Sequence, residues 1–91
     1  MLLLVRIELT GSDFVLFDAY EQQVLALLPK HGAQIVERLR AKDGSGETHL
    51  LQFPDAAAFK AFRTDPARVK LQDLWRRCGA TSTIIEVERQ E

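Results

Sequence analysis

What is scarce in these 91 residues narrows the possibilities first. There is a single cysteine, Cys78, so no intrachain disulfide can form, which fits a reducing interior. No histidine lies within a helical turn of it, and it reads as a small buried hydrophobe rather than a reactive thiol. Asparagine is absent altogether. Neither sign of charge dominates: 12 basic residues face 13 acidic ones, for a net charge of −1. That balance gives no electrostatic case for DNA or RNA, whose recognition leans on a concentrated basic face. The densest basic cluster, Arg63 to Arg77, is broken by Asp65 and Asp73 and reads as a solvated helix face. No long apolar run is present. Leu2-Leu3-Leu4-Val5 stops at Arg6, too short for a signal-peptide core or a membrane span, so a cytoplasmic protein is expected. Paired carboxylates in glycosidase style, a serine beside a base and a glycine-rich phosphate loop are all missing, and Gly44-Ser45-Gly46 is only a hairpin turn. No metal, cofactor or nucleic-acid partner is therefore expected.

What is present is an ordinary globular composition, 46% hydrophobic and 27% charged, long enough for one domain spanning residues 1–91. A domain of this size buries only about 60–65% of its unfolded surface. Without disulfides or metal, oligomerisation is the natural support.

Ser12 to Leu39 is the stretch around which the rest is placed. Phe17, Tyr20, Val24, Leu27 and His31 recur at spacings of three and four, predicting one buried stripe on a helix from Ser12 to about Lys30. Ser12 or Asp13 caps its start, Pro29 disturbs its last turn, and Gly32 ends it in the left-handed conformation. Before it, Leu2–Thr10 alternates, with Leu3, Val5, Ile7 and Leu9 on a fully apolar side. After it, Ala33–Ala41 reads as an edge strand rich in Arg and Glu. The turn Lys42–Gly46, with Asp-Gly at its centre, joins it to a strand over Glu47–Phe53. Pro54-Asp55 caps a helix over Ala56–Arg63 anchored by Phe59 and Phe62. Thr64-Asp65-Pro66 starts another, with Leu71, Leu74, Trp75 and Cys78 on one stripe and Gly79 as its end. Thr81–Arg89 is the last strand. No internal repeat, linker or low-complexity segment interrupts the order.

Strand, helix, strand, strand, helix, strand is the ferredoxin-like βαββαβ pattern, an α+β fold with a four-stranded antiparallel sheet and helices on one face. The other face would carry Leu2, Leu4, Arg6, Val36, Arg38, Leu50 and Gln52. Its apolar members form a patch that marks an interaction site, and the simplest cover is a second copy in a two-fold homodimer.

Several users of this topology fail on residue type. An RNA-recognition module needs stacking aromatics on the open faces of the first and third strands, and only Phe53, at a strand end, is aromatic there. Acylphosphatases and the haem-degrading oxygenases of dimeric barrels both lean on an asparagine. Copper- or zinc-carrying domains need a close pair of cysteines. Tyr20, the Val24–Leu28 run, His31-Gly32, Leu51-Gln52-Phe53-Pro54-Asp55, Thr64-Asp65-Pro66 and Leu74-Trp75-Arg76 resemble the dimeric α+β barrel superfamily. The branch in question holds small proteins of unknown function related to antibiotic-biosynthesis-type monooxygenases. The resemblance implies a homodimer whose two sheets close into a barrel. It also implies a cavity between each sheet and its helices that, in catalytic relatives, holds a small organic substrate. Those relatives include cofactor-free monooxygenases acting on polyketide-like aromatics, lactone isomerases and dehydratases.

The candidate site residues each carry two readings. His49, on the side of Leu51 and Phe53, is a hydrogen-bonded core histidine or a general base in the cavity. Tyr20 and Trp75 are core aromatics or ligand-binding walls. His31 suits a capping cation at the helix end. Arg6 and Arg38, both placed on the dimer face, require an acid such as Glu8, a partner-subunit acid or an anionic ligand. The function expected is the binding or transformation of a small, partly apolar organic molecule. The alternative is a non-catalytic ligand-sensing or purely structural dimer, and an unfilled cavity holding His49 separates the two.

Overall fold

The structure, a computed structural model, describes residues 1–91. Strand β1 is Leu2–Glu8, and helix α1 is Phe14–Leu25. A 3-10 turn, Pro29–His31, leads into β2 (Gln34–Arg40) and β3 (Gly46–Gln52). Helices α2 (Ala56–Thr64), α3 (Pro66–Val69) and α4 (Gln72–Cys78) follow, and β4 is Thr81–Val87. The sheet order is β2-β3-β1-β4, with antiparallel pairing throughout. The βαββαβ pattern and the one-sided helical cover are thus present as expected.

Leu3, Val5 and Ile7 of β1 lie opposite Leu51, His49 and Glu47 of β3, and all six face the helices and are buried. Phe17, Tyr20, Val24 and Leu28 supply the facing layer. The stripe on α1 ends on Leu28 rather than Leu27 because the helix stops five residues early. Its last bonds shorten to i→i−3, from the amides of Leu27 and Leu28 to the carbonyls of Val24 and Leu25. Pro29 has no amide to extend the ladder and opens the 3-10 turn instead. Gly32 then takes φ +68°, and a Cβ there would stand 2.9 Å from Cγ of Pro54.

The second helical region is in three pieces. Asp65 has ψ 125°, as a residue before proline prefers, so α2 cannot run through it. Its carboxylate accepts from the Ala67 amide, Lys30 Nζ at 2.9 Å and His31 Nε2 at 2.8 Å. His31 therefore ties the end of the first helical unit to the start of α3, with its ring edge-on to Phe62. A further tightening at Leu71, whose amide bonds to the Arg68 carbonyl, separates α3 from α4 where one helix was expected. Leu71, Leu74 and Trp75 still pack on the core, and Cys78 is fully buried.

Strict alternation fails in β2. A bulge between Ile35 and Glu37 shifts the register, so Arg38 pairs with His49 and Leu39 with Thr48. The placement of Arg38 on the open face is thereby corrected: it points to the helix side, and Leu39, 58% exposed, takes the open face.

The open face carries Leu2, Leu4, Leu50, Ile85 and Val87 in contiguous register, with Leu39 beside Thr48. No helix is long and apolar enough to cross a membrane.

Candidate functional site

Between the sheet and the helices lies a cleft of about 190 Å³. Leu3, Val5 and Leu51 form its floor, and Tyr20, Phe59 and Trp75 its aromatic roof. The rings of Tyr20 and Trp75 meet at 5.0 Å, tilted by 45°. The cleft opens beside β4, whose Ile84 borders it and is 44% exposed. One end is polar, because Glu21 on α1 and His49 on β3 both reach it while being almost fully buried.

That end is built by two periodicities. On the strand, Glu47, His49 and Leu51 share a side, so an acid and an imidazole are brought together two residues apart. On the helix, Glu21 stands four residues after Phe17 and three before Val24, inside the buried stripe. His49 Nε2 lies 2.9 Å from Glu47 Oε2 and 3.6 Å from Glu21 Oε2. Glu47 Oε1 receives Arg40 at 3.0 Å and Arg38 at 3.4 Å, and Arg40 also reaches Asp18. With its charge met by two guanidinium groups, Glu47 accepts a hydrogen bond from His49. That bond holds the tautomer with the proton on Nε2. Glu21 has no such support: its Oε2 is buried with no hydrogen-bond partner.

Burial is the main cause of the titration behaviour. It pushes the Glu21 carboxyl up to about 7, aided by the nearby Glu47 charge and opposed by Arg38 and Arg40. His49 is held below the ordinary histidine value, again mainly by burial and against the pull of Glu47. The Tyr20 phenol is raised by burial, with the Arg68 charge acting the other way. At neutral pH the polar end therefore offers a neutral imidazole beside a carboxyl poised between its two forms, a pair that can accept or return a proton.

Glu21, Glu47 and His49 present ligating atoms within 4.8 Å of one another. Arg38 and Arg40 already neutralise Glu47, so the electrostatic demand there is for one proton rather than a divalent cation.

Of the residues singled out in the sequence, His49, Tyr20 and Trp75 come together in this cleft. Arg38 lies behind it, on Glu47. Arg6 is on the other side of the sheet, between Thr48 and Thr83, lining a wide polar recess of about 520 Å³. It makes no ion pair with Glu8, whose carboxylate is taken by the Thr10 hydroxyl and amide. Glu21, Glu47 and Arg68 were not singled out. The stripe spacing placed Glu21 and the strand alternation placed Glu47, but both acids break an apolar pattern and are passed over when that pattern is sought.

No family model and no curated protein matches the chain. Solved structures match over nearly its whole length. SnoaB, a cofactor-independent oxygenase from Streptomyces nogalater, superposes with a TM-score of 0.73 at 13% identity, over 98% of this chain and 93% of its own. Protein Atu4242 from Agrobacterium tumefaciens gives 0.69 at 15% identity, over 98% and 95%. An uncharacterized NIPSNAP domain protein from Burkholderia xenovorans gives 0.65 at 14% identity, over 97% and 95%. At these identities the likeness is one of fold. The chain shares the ferredoxin-like α+β fold of antibiotic biosynthesis monooxygenases and NIPSNAP domain proteins.

Proposed function

We propose that the protein binds, and through His49 transforms, a small and largely apolar organic molecule in the cleft between sheet and helices. In this reading it acts as a homodimer formed through the open sheet face. The single observation that carries it is an apolar cleft ending on a buried carboxyl–imidazole pair, Glu21 and His49. Size limits the ligand. A volume of about 190 Å³ is below the range usual for drug-sized ligands, but a cavity of about 150 Å³ accepts benzene. The volume matches a single ring. Proton transfer at His49 is the first step shared by isomerisation and by oxygenation without a cofactor, the class named for SnoaB.

Trp75, the only tryptophan, borders the cleft, so its fluorescence reports occupancy. Single-ring phenols and aryl ketones should quench it saturably, and His49→Ala should abolish turnover of a ligand so identified while leaving the dimer folded. Unchanged kinetics in His49→Ala would remove its role. The runner-up, a ligand-sensing module, is favoured by the small volume and predicts binding without turnover.

A further inference from the structure

The polar recess around Arg6 is wider than the cleft, about 520 Å³ against about 190 Å³, and the cleft chemistry leaves it unused. Its charged groups are unequally engaged. Glu47 holds Arg38, Arg40 and His49, and Glu8 accepts from the hydroxyl and amide of Thr10 at 2.7 and 3.3 Å. Arg40, the other cation of the recess, is bound to Glu47 and Asp18. Unlike Arg38, Arg40 and Arg76, Arg6 enters no ion pair and donates no hydrogen bond. Glu8 feels the Arg6 charge along the strand, but its carboxylate is turned onto Thr10.

Strand register fixes what stands beside Arg6. It lies directly between Thr48 of β3 and Thr83 of β4, all three on the open side of the sheet. Opposed side chains on neighbouring strands have Cβ atoms about 4.5–5.5 Å apart, so both hydroxyls reach whatever the guanidinium holds. Arg6 and Thr83 are exposed and Thr48 is half-buried, which leaves all three open to a ligand. The next row along is apolar, Leu50, Leu4 and Ile85. In the homodimer reading, on which this step alone rests, a copy that covers the apolar row also takes water from Arg6. A charge so desolvated needs a counter-charge, and a two-fold interface brings one such arginine from each copy.

We propose that Arg6, Thr48 and Thr83 form an oxyanion site on the open face, binding the phosphate, sulfate or carboxylate group of a small polar ligand. The guanidinium supplies the charge, and the two hydroxyls donate from either side. With the carboxylates nearby engaged elsewhere, the recess has free donors and no free anionic acceptor, the complement of such a group.

The test is calorimetric titration of the wild-type protein with inorganic phosphate, sulfate, acetate and glycerol 3-phosphate, in chloride buffer of constant ionic strength. At least one of the four should bind saturably, one anion per chain. Arg6→Gln should weaken that binding at least tenfold, and Thr48→Val and Thr83→Val each by about threefold. Glu8→Gln, which removes a negative charge from the recess, should tighten it. Arg77→Gln, exposed and outside the recess, should change nothing. Tighter binding of glycerol 3-phosphate than of inorganic phosphate assigns the site to an ester, and the reverse to the free ion. The proposal is overturned if none of the four binds saturably, or if Arg6→Gln, folded by circular dichroism, binds as the wild type does. An equal loss in Arg77→Gln, meaning general attraction to positive charge, would also overturn it. Should Arg6→Gln fail to fold, the two valine variants carry the same test. Sedimentation separates this site from the homodimer reading: a dimer that binds no oxyanion overturns the site alone, and a monomer that binds one upholds it.

Discussion

At the scale of single residues, Glu21 is the least expected feature. A carboxyl with a folded-state value of about 7, against 4.5 in the unfolded chain, binds its proton more tightly when folded. Its contribution to stability is therefore complete below pH 4.5 and is lost as the pH rises through 7. At about 1.4 kcal/mol per pH unit over the interval from 4.5 to about 7, the loss is on the order of 3–4 kcal/mol. His49 acts in the opposite sense: its lowered value means that folding is favoured as the pH rises through the ordinary histidine range. The two slopes oppose each other in the wild type, but the difference between Glu21→Gln and wild type isolates Glu21. Urea unfolding at several pH values should show the two proteins similar at pH 5 and the variant gaining by roughly 2 kcal/mol at pH 8. A difference that does not change with pH would refute the burial of an ionisable Glu21. Its position was legible once the spacing from Phe17 and Val24 was known. Its partnerless oxygen was not, since that depends on which atoms of β2 and β3 arrive beside it.

At the scale of elements, structure departs from local sequence pattern where backbone hydrogen bonding leaves a regular ladder. Helix α1 ends at Leu25, and i→i−3 turns carry the chain from there to Gly32, while a bulge in β2 exchanges the sides of Arg38 and Leu39. Pro29 announced the first of these. Nothing in Ile35-Val36-Glu37 announces a bulge, because each of these residues also fits a regular strand; the shift is chosen by the pairing of Arg38 and Arg40 with Glu47. Gly32 was anticipated, and its importance is doubled by Pro54. Gly32→Ala combines a left-handed backbone with a Cβ contact of 2.9 Å, and should cost about 1–2 kcal/mol. In a domain of this size that lowers the midpoint of thermal unfolding by roughly 5–15 °C, measurable by circular dichroism. A change within a degree or two would mean that neither strain nor contact matters at this turn.

At the scale of the whole molecule, the protein is a slab of 35 × 34 × 17 Å, one sheet and one helical layer thick. Its accessible surface of 6018 Å² exceeds the roughly 5,400 Å² expected for a monomer of this mass. The excess is of the order of one partner's share of a standard interface, about 800 Å². The chief apolar surface available is the open face around Leu4, Leu50 and Ile85. Sedimentation at micromolar concentration should therefore give twice the 10.3 kDa chain mass. Ile85→Lys, at a position 57% exposed in the isolated chain, should yield a folded monomer. A wild-type protein sedimenting as a well-folded monomer would end the dimer proposal.

The order of elements, the helix-covered face of β1 and β3, and the apolar character of the uncovered face were determined by the sequence itself. They rest on local periodicity and on caps that act within a few residues. The depth of Glu21 and the side on which Arg38 lies were decided by the tertiary structure. Each depends on distances between segments far apart in the chain, where a shift of a single residue in register exchanges the buried and open sides.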